Sequence, residues 1–315
     1  MESKNNWKAW LYLAPVIILM AVFTFYPIIN TFFISFLKSY DSLTGTNKGF
    51  TFDNYIDILT PFGSNQTYYK AFMQTALPNT LLLTFVTVPV SIILSLMIAI
   101  GLNSIKIFKK LFQTIFFMPY VTNAIAIGMV FAVIFDTQYG IFNAIFGTTG
   151  FPWIYPNPAT GQMVNYWSAF FAICFYIVWH SLPYKILIFL GGLQNIDQQY
   201  YDAAKIDGSN KLKTSLKITV PLLSPQILYI MITSFIGAFK EYNSVIGLFD
   251  PSTGGQFDRN TGMESMQTVV FFIYERMGES KPTLGYACSA AVVLFIIIMI
   301  FTAIQFKVSK KRVHY

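Results

Sequence analysis

Charged side chains make up only 11% of this 315-residue chain, against about 25% in soluble domains. Cysteine and histidine are almost absent: Cys174 and Cys288, His180 and His314. Both cysteines sit inside apolar runs, "FAICFYI" and "GYACSAA", so they read as small buried side chains and not as a disulfide framework. Neither has metal-ligand spacing to another donor, and two histidines are too few for a metal cluster. No metal and no cofactor are expected. The chain has no G-x-x-x-x-G-K-[ST] phosphate loop and no Gly-Lys pair anywhere, which excludes nucleotide hydrolysis by that device within this sequence. No repeat or low-complexity segment stands out.

What the chain has is apolar length. It is 55% hydrophobic and 18% aromatic, with a mean hydropathy of +0.54. A membrane-spanning helix needs about 20 mostly apolar residues. Six stretches meet that need: 10–37, 77–102, 111–135, 167–190, 221–249 and 284–306. The expected fold is all-α, a polytopic integral membrane protein with six transmembrane helices. The first run, Ala9 to Leu37, holds 29 residues without a charge, whereas the apolar core of a signal peptide holds about 7–15. No persuasive small-residue cleavage site accompanies it, so it reads as a retained helix. Lys185 interrupts the fourth span, and Lys240 with Glu241 the fifth.

The loops orient the spans. The net charge of +7 is unevenly distributed. Thirteen Lys/Arg fall on the N-tail, on "NSIKIFKK", on the segment 191–220 and on the C-tail, and six fall on the alternate loops. By the positive-inside rule both termini and the segment 191–220 are cytoplasmic. The expected organisation is a cytoplasmic tail at 1–9, a membrane domain at 10–306 with a cytoplasmic loop at 191–220, and a cytoplasmic tail at 307–315. The basic balance therefore points to a lipid membrane and not to nucleic acid. The outer loops 38–76 and 250–283 hold most of the acids, and "FPWIYPNPAT" suits chain lying at a membrane interface.

The cytoplasmic segment "YYDAAKIDGSNKLKTSLKITVPLL" is too orderly for a bare linker. Asp197 is placed to cap a short helix from about Gln198 to Ile206, although Tyr200 leaves the capping box incomplete. Asp202, Ala203 and Ala204 lie in that helix, and the two alanines offer a smooth patch for close approach. After Asp207, Gly208 is placed to end the helix in a left-handed conformation. Ser209 or Asn210 then starts a second short helix, and Pro221 falls near the first turn of the next span.

"DAAKIDG" followed by "ITVP" resembles the EAA signature of ABC importer permeases. Asp202 stands for the usual Glu, Ser209 for the usual Ala, and Ser215 where an aromatic is common. "FYPIINTFFISF", "TFDNYIDIL", "FKKLFQTIFFMPYV", "YGIFN", "LGGLQNID", "STGG" and "LGYACSA" extend the likeness to the carbohydrate, MalF-like subgroup. The resemblance implies that Asp202, Ala203, Ala204, Asp207, Gly208 and Pro221 belong to a coupling loop that rests on a separate ATPase. That agrees with the missing phosphate loop.

Polar groups inside a span are functional candidates by default. "FMPYVTN", "VWHSLPYK" and "GAFKEYNS" carry them here. The resemblance places substrate contacts on Tyr120, Ser181, Tyr184, Gly237, Ala238 and Glu241. Gly237 and Ala238 replace polar amides of the family, which argues against a maltose-like specificity. Lys240 and Glu241 point about 100° apart on a helix. Either Glu241 faces the sugar while Lys240 pairs elsewhere or snorkels, or both are gate or packing charges.

The resemblance implies a non-catalytic permease for a sugar or oligosaccharide in the bacterial cytoplasmic membrane. Its partners would be a second homologous permease, two ABC ATPase subunits and an extracytoplasmic solute-binding protein. The alternative cargo is a non-sugar or charged solute, such as a sugar acid or a glycerol phosphate derivative. A secondary transporter would carry its own ion site and inverted repeats, and a membrane enzyme would need a catalytic cluster; neither is visible.

Overall fold

A computed structural model describes residues 6–41, 44–105, 109–249, 265–278 and 283–309. "STGG", most of the 250–283 loop and the tail beyond 309 lie outside these described residues. An isolated β bridge joins Leu37 to Phe50, and no named strand occurs among the described residues. The rest of the regular structure is helical. Thirteen helices matter here: α1 (Trp10–Ser35), α2 (Asp53–Leu59), α3 (Gln66–Ser104), α4 (Lys109–Val121), α5 (Ala124–Ile134), α6 (Ile141–Phe146), α7 (Tyr166–Gln194), α8 (Gln198–Ile206), α9 (Lys211–Leu222), α10 (Ser224–Phe239), α11 (Asn243–Leu248), α12 (Val269–Gly278) and α13 (Leu284–Ser309).

Four of these, α1, α3, α7 and α13, are long and apolar enough to cross a membrane unaided. Two further crossings are bent pairs. α4 and α5 meet at 106°, and α9 and α10 at 69°, so the count reaches six if each pair is one span. The runs 111–135 and 221–249 are thus apolar throughout but not straight. Asn123 causes the first break: its side chain accepts from Ile125 N at 2.9 Å and Ala126 N at 3.3 Å, starting a new helix. The second break, at Leu223, precedes Pro225 in the first turn of α10, where the missing N–H costs little. The run then stops again at Lys240 and restarts at Asn243.

Three helices contain a widened π turn: Ala21–Phe25, Lys70–Ala76 and Ser215–Thr219. Each is followed within the next turn by a proline, Pro27, Pro78 or Pro221. A proline ring crowds the carbonyl four residues back and removes one donor. Widening the preceding turn accommodates both defects without ending the helix.

The chain divides into two units, Met1–Met73 with Phe272–Ile296, and Gln74–Phe271 with Ile297–Tyr315. The first is held by a polar knot. Buried Asn54 donates to Ser35 O at 2.9 Å and Leu37 O at 3.0 Å. Ser289 also donates to Ser35 O, and Tyr286 donates to Asp57 at 2.9 Å. A Cβ on Gly285 would lie 2.7 Å from Asn54 Nδ2 and 3.0 Å from Leu37 O, so only glycine fits. The stretches "FYPIINTFFISF", "TFDNYIDIL" and "LGYACSA" meet in this knot.

The second unit is built around α7. α3 packs along it with a stripe of buried hydroxyls, Thr80, Thr84, Thr87, Ser91 and Ser95. Four of these hydroxyls donate to carbonyls three or four residues back, so they enter an apolar face at little cost. Asn79 is fully used: it donates to Ser265 O and Gln267 O and accepts from Tyr166 OH at 2.9 Å. In "YGIFN", Asn143 ties the 136–153 loop together, donating to Thr137 O and Phe151 O and accepting from Trp153 Nε1 at 2.8 Å. α5 and α11 pack backbone to backbone. A Cβ on Gly128 would lie 2.7 Å from Gly247 Cα, and one on Gly247 would lie 3.0 Å from Gly128 Cα.

Candidate functional site

All six candidate substrate residues line one cavity of about 450 Å³ within the second unit. Tyr120 comes from the end of α4, Ser181 and Tyr184 from mid-α7, Gly237 and Ala238 from the last turn of α10, and Glu241 from the break after it. Thr87 and Ser91 of α3, His180 and Lys185 of α7, and Thr233 and Ser234 of α10 add polar groups to the wall, and Val88 and Ile177 add apolar ones.

The chemistry of the wall is mixed. The rings of Tyr120 and Tyr184 stack with centroids 5.8 Å apart and planes 17° from parallel. Tyr184 OH lies 3.0 Å from Tyr229 OH, which fixes the ring. Gly237 leaves a bare patch: a Cβ there would meet nothing within 4 Å. Glu241 lines the cavity and also accepts from Ser244 N at 3.0 Å, starting α11. The Glu241 carbonyl accepts from Thr268 Oγ1 at 2.7 Å. Lys240 is exposed and is not part of the wall. Among the described residues no ion pair involves Glu241, Lys240 or Lys185.

Sequence reasoning marked His180 and Lys185 as polar groups in a span but gave them no place in the site. It missed Thr87, Ser91 and Thr233 altogether. The signal for Thr87 and Ser91 was the hydroxyl spacing along α3, which repeats every three or four residues and so marks one face of a helix.

The hairpin follows its expected construction. Asp197 caps α8 by accepting from Gln199 N at 2.9 Å. Gly208 has φ +68°, the left-handed region that glycine enters freely. Asn210, and not Ser209, caps the second helix by accepting from Lys213 N at 2.8 Å. Pro221 lies in the first turn after a π turn. Asp202 is exposed and accepts from Lys205 at 2.8 Å; that bond, and a weaker one from Gln198, hold its carboxyl below the usual carboxylate range. Ala203 is exposed, but Ala204 is buried at 6% exposure. The expected two-alanine patch is therefore one alanine wide, because Ala204 faces inward. Tyr200, Ile206, Leu212 and Leu216 are exposed apolar side chains on this hairpin.

Comparison with known proteins gives the class. Residues 91–315 match the family described as binding-protein-dependent transport system inner membrane component. The arabinooligosaccharides transport system permease protein AraP of Bacillus subtilis (strain 168) is 33% identical over 302 residues, 95% of this chain and 88% of AraP. The lactose transport system permease protein LacF of Rhizobium radiobacter is 29% identical over 308 residues, 97% of this chain and 95% of LacF. A crystal structure of a bacterial alginate ABC transporter, in complex with alginate pentasaccharide-bound periplasmic protein, contains a chain that superposes with a TM-score of 0.77. At 16% identity, with 98% of this chain and 96% of that chain covered, that likeness shows the fold alone.

The chain belongs to the family of binding-protein-dependent transport system inner membrane components. It is a multi-pass ABC permease subunit, and members of this class are non-catalytic membrane parts of the transporter.

Proposed function

We propose that this permease carries a sugar or oligosaccharide through the cavity between α4, α7 and α10. The observation that carries the reading is the convergence of Tyr120, Ser181, Tyr184, Gly237, Ala238 and Glu241 on one wall. Flat aromatic faces suit sugar rings, and hydroxyl and carboxylate groups suit sugar hydroxyls. The relatives AraP and LacF are named for arabinooligosaccharides and lactose.

The cavity is open on this chain, and one permease supplies half of a pore. A second homologous permease closes it, as a heterodimer. Two ABC ATPase subunits drive it, and an extracytoplasmic solute-binding protein delivers the cargo. The α8 hairpin, from Asp202 to Gly208, is the docking element. It is rigid through its two caps, and it presents an exposed acid beside exposed Tyr200, Ile206 and Leu212. A docked lever transmits differential binding energy between states, which a floppy loop does not. Both termini and the hairpin are on the cytoplasmic side.

Uptake of labelled saccharides into proteoliposomes tests this. The vesicles hold the complete importer, with ATP inside or absent. ATP-dependent accumulation of a saccharide supports the reading; accumulation driven by an ion gradient without ATP overturns it.

A further inference from the structure

The cavity wall holds one group that a neutral sugar does not require. Lys185 is only 5% exposed and is the one Lys, Arg, Asp or Glu within the α7 span. Its ammonium donates to Ser91 Oγ at 2.6 Å and to Ser181 Oγ at 3.0 Å. Each of those hydroxyls spends its own proton on a backbone carbonyl, Ser91 on Val88 O and Ser181 on Val178 O. Both serines therefore act as acceptors, and they hold Lys185 in place without neutralising it. An ammonium has three donors, so one N–H is left over, on a residue that lines the cavity. Five residues earlier on α7, His180 Nε2 is buried without a partner, and His180 belongs to the same wall.

A positive charge at this depth is unfavourable unless an anion compensates it. No carboxylate lies within 4.0 Å of Lys185 among the described residues. The one acid on the wall, Glu241, is not paired with Lys185, and it is engaged at the start of α11.

We propose that the counter-charge of Lys185 is the substrate's own: the carried saccharide bears a carboxylate, as a uronic acid residue does, and Lys185 with Ser91 and Ser181 selects it. This rests on the saccharide reading above. The stacked Tyr120 and Tyr184 rings take the sugar face, and Lys185 takes the acidic group, with His180 elsewhere on the same wall. Met or Leu at position 185 would fill the same space without choosing between acid and neutral sugars.

The test uses the intact transporter complex in nanodiscs and a matched set of probes. α-1,4-linked oligogalacturonates and mannuronate oligomers are compared with their methyl esters and with neutral oligosaccharides of the same length, by equilibrium binding. The expected result is that the tightest probe carries free carboxylate and that esterification weakens it. Lys185→Met should weaken that probe by about 10- to 100-fold and remove the difference between acid and ester. Lys185→Arg should keep part of it. If a neutral saccharide binds tightest and Lys185→Met leaves its affinity unchanged, the charge-recognition inference is overturned while the saccharide reading stands. If no saccharide binds an intact complex, the saccharide reading itself fails and this inference falls with it. Recovery of Lys185→Met and Ser91→Ala complexes, measured by gel filtration, separates loss of recognition from loss of folding. An acid preference that persists in both correctly assembled variants also overturns the assignment to Lys185.

Discussion

At the scale of single residues, the cavity wall divides into groups that hold and groups that leave room. Tyr184 is fixed by Tyr229 and stacked on Tyr120. Tyr184→Ala and Glu241→Ala should each weaken saccharide transport by about 5- to 150-fold, the cost of one stacking or charged contact at about 1–3 kcal/mol, with complex recovery unchanged. Glu241→Gln should be milder, since the amide oxygen still accepts from Ser244 N. Gly237 works by absence. Its Cβ would enter open space, so Gly237→Leu should keep assembly intact and reduce uptake by filling the cavity; uptake equal to the parent would place the route elsewhere. The aromatic and charged wall residues were legible in the sequence because such groups stand out in an apolar span. Thr87 and Ser91 were not. A hydroxyl that satisfies itself on a carbonyl of its own helix gives the same local pattern whether it faces lipid, a neighbour or a cavity.

Among the helical elements, the α8 hairpin is the part the sequence described most fully. Its caps and its left-handed glycine are local interactions, set by residues within a few positions of each other. Gly208→Val tests it. A Cβ at Gly208 would meet nothing within 4 Å, so the cost of valine is purely one of backbone conformation, φ +68° for a β-branched residue. Transport should be blocked while the protein remains in the membrane, and Gly208→Ala should be milder. Asp202→Lys should also block coupling, by reversing an exposed charge that the Lys205 and Gln198 bonds keep ionised. The bends in the third and fifth apolar runs were not legible as bends. Hydropathy measures length, and Asn123 or Lys240 within a long run alters it little. What broke the helices was capping and proline chemistry at single positions.

For the whole molecule, the proposed orientation has a direct measurement. Cys174 and Cys288 are buried, so the native background for thiol labelling is low. An impermeant maleimide added to intact cells should label Phe62→Cys, at a 92% exposed position, and should leave Lys211→Cys unlabelled until the cells are permeabilised. The reverse pattern would invert the topology. Motifs distant in sequence also acquire a shared reason. Ser35, Asn54 and Gly285 were read as separate stretches of likeness, and no single-sequence periodicity joins them. The knot shows why they occur together, and it predicts that Gly285→Ala, which drives a methyl against Asn54 and Leu37 O, destabilises the chain by about 1–3 kcal/mol. A lowered unfolding temperature of the purified complex would show it.

The glycine contact between α5 and α11 has a mechanical meaning. These two short helices follow two interruptions of apolar runs, at Asn123 and at Lys240–Tyr242, and they touch through Gly128 and Gly247 with no side chain between them. Side chains at an interface are its compliant layer: they change rotamer and absorb small shifts. Here that layer is missing. Separating the two backbones by even about 1 Å would forfeit a large part of their dispersion contact. The junction therefore has no slack, and the segments beyond the two breaks form a single stiff part with a joint on each side of the cavity wall.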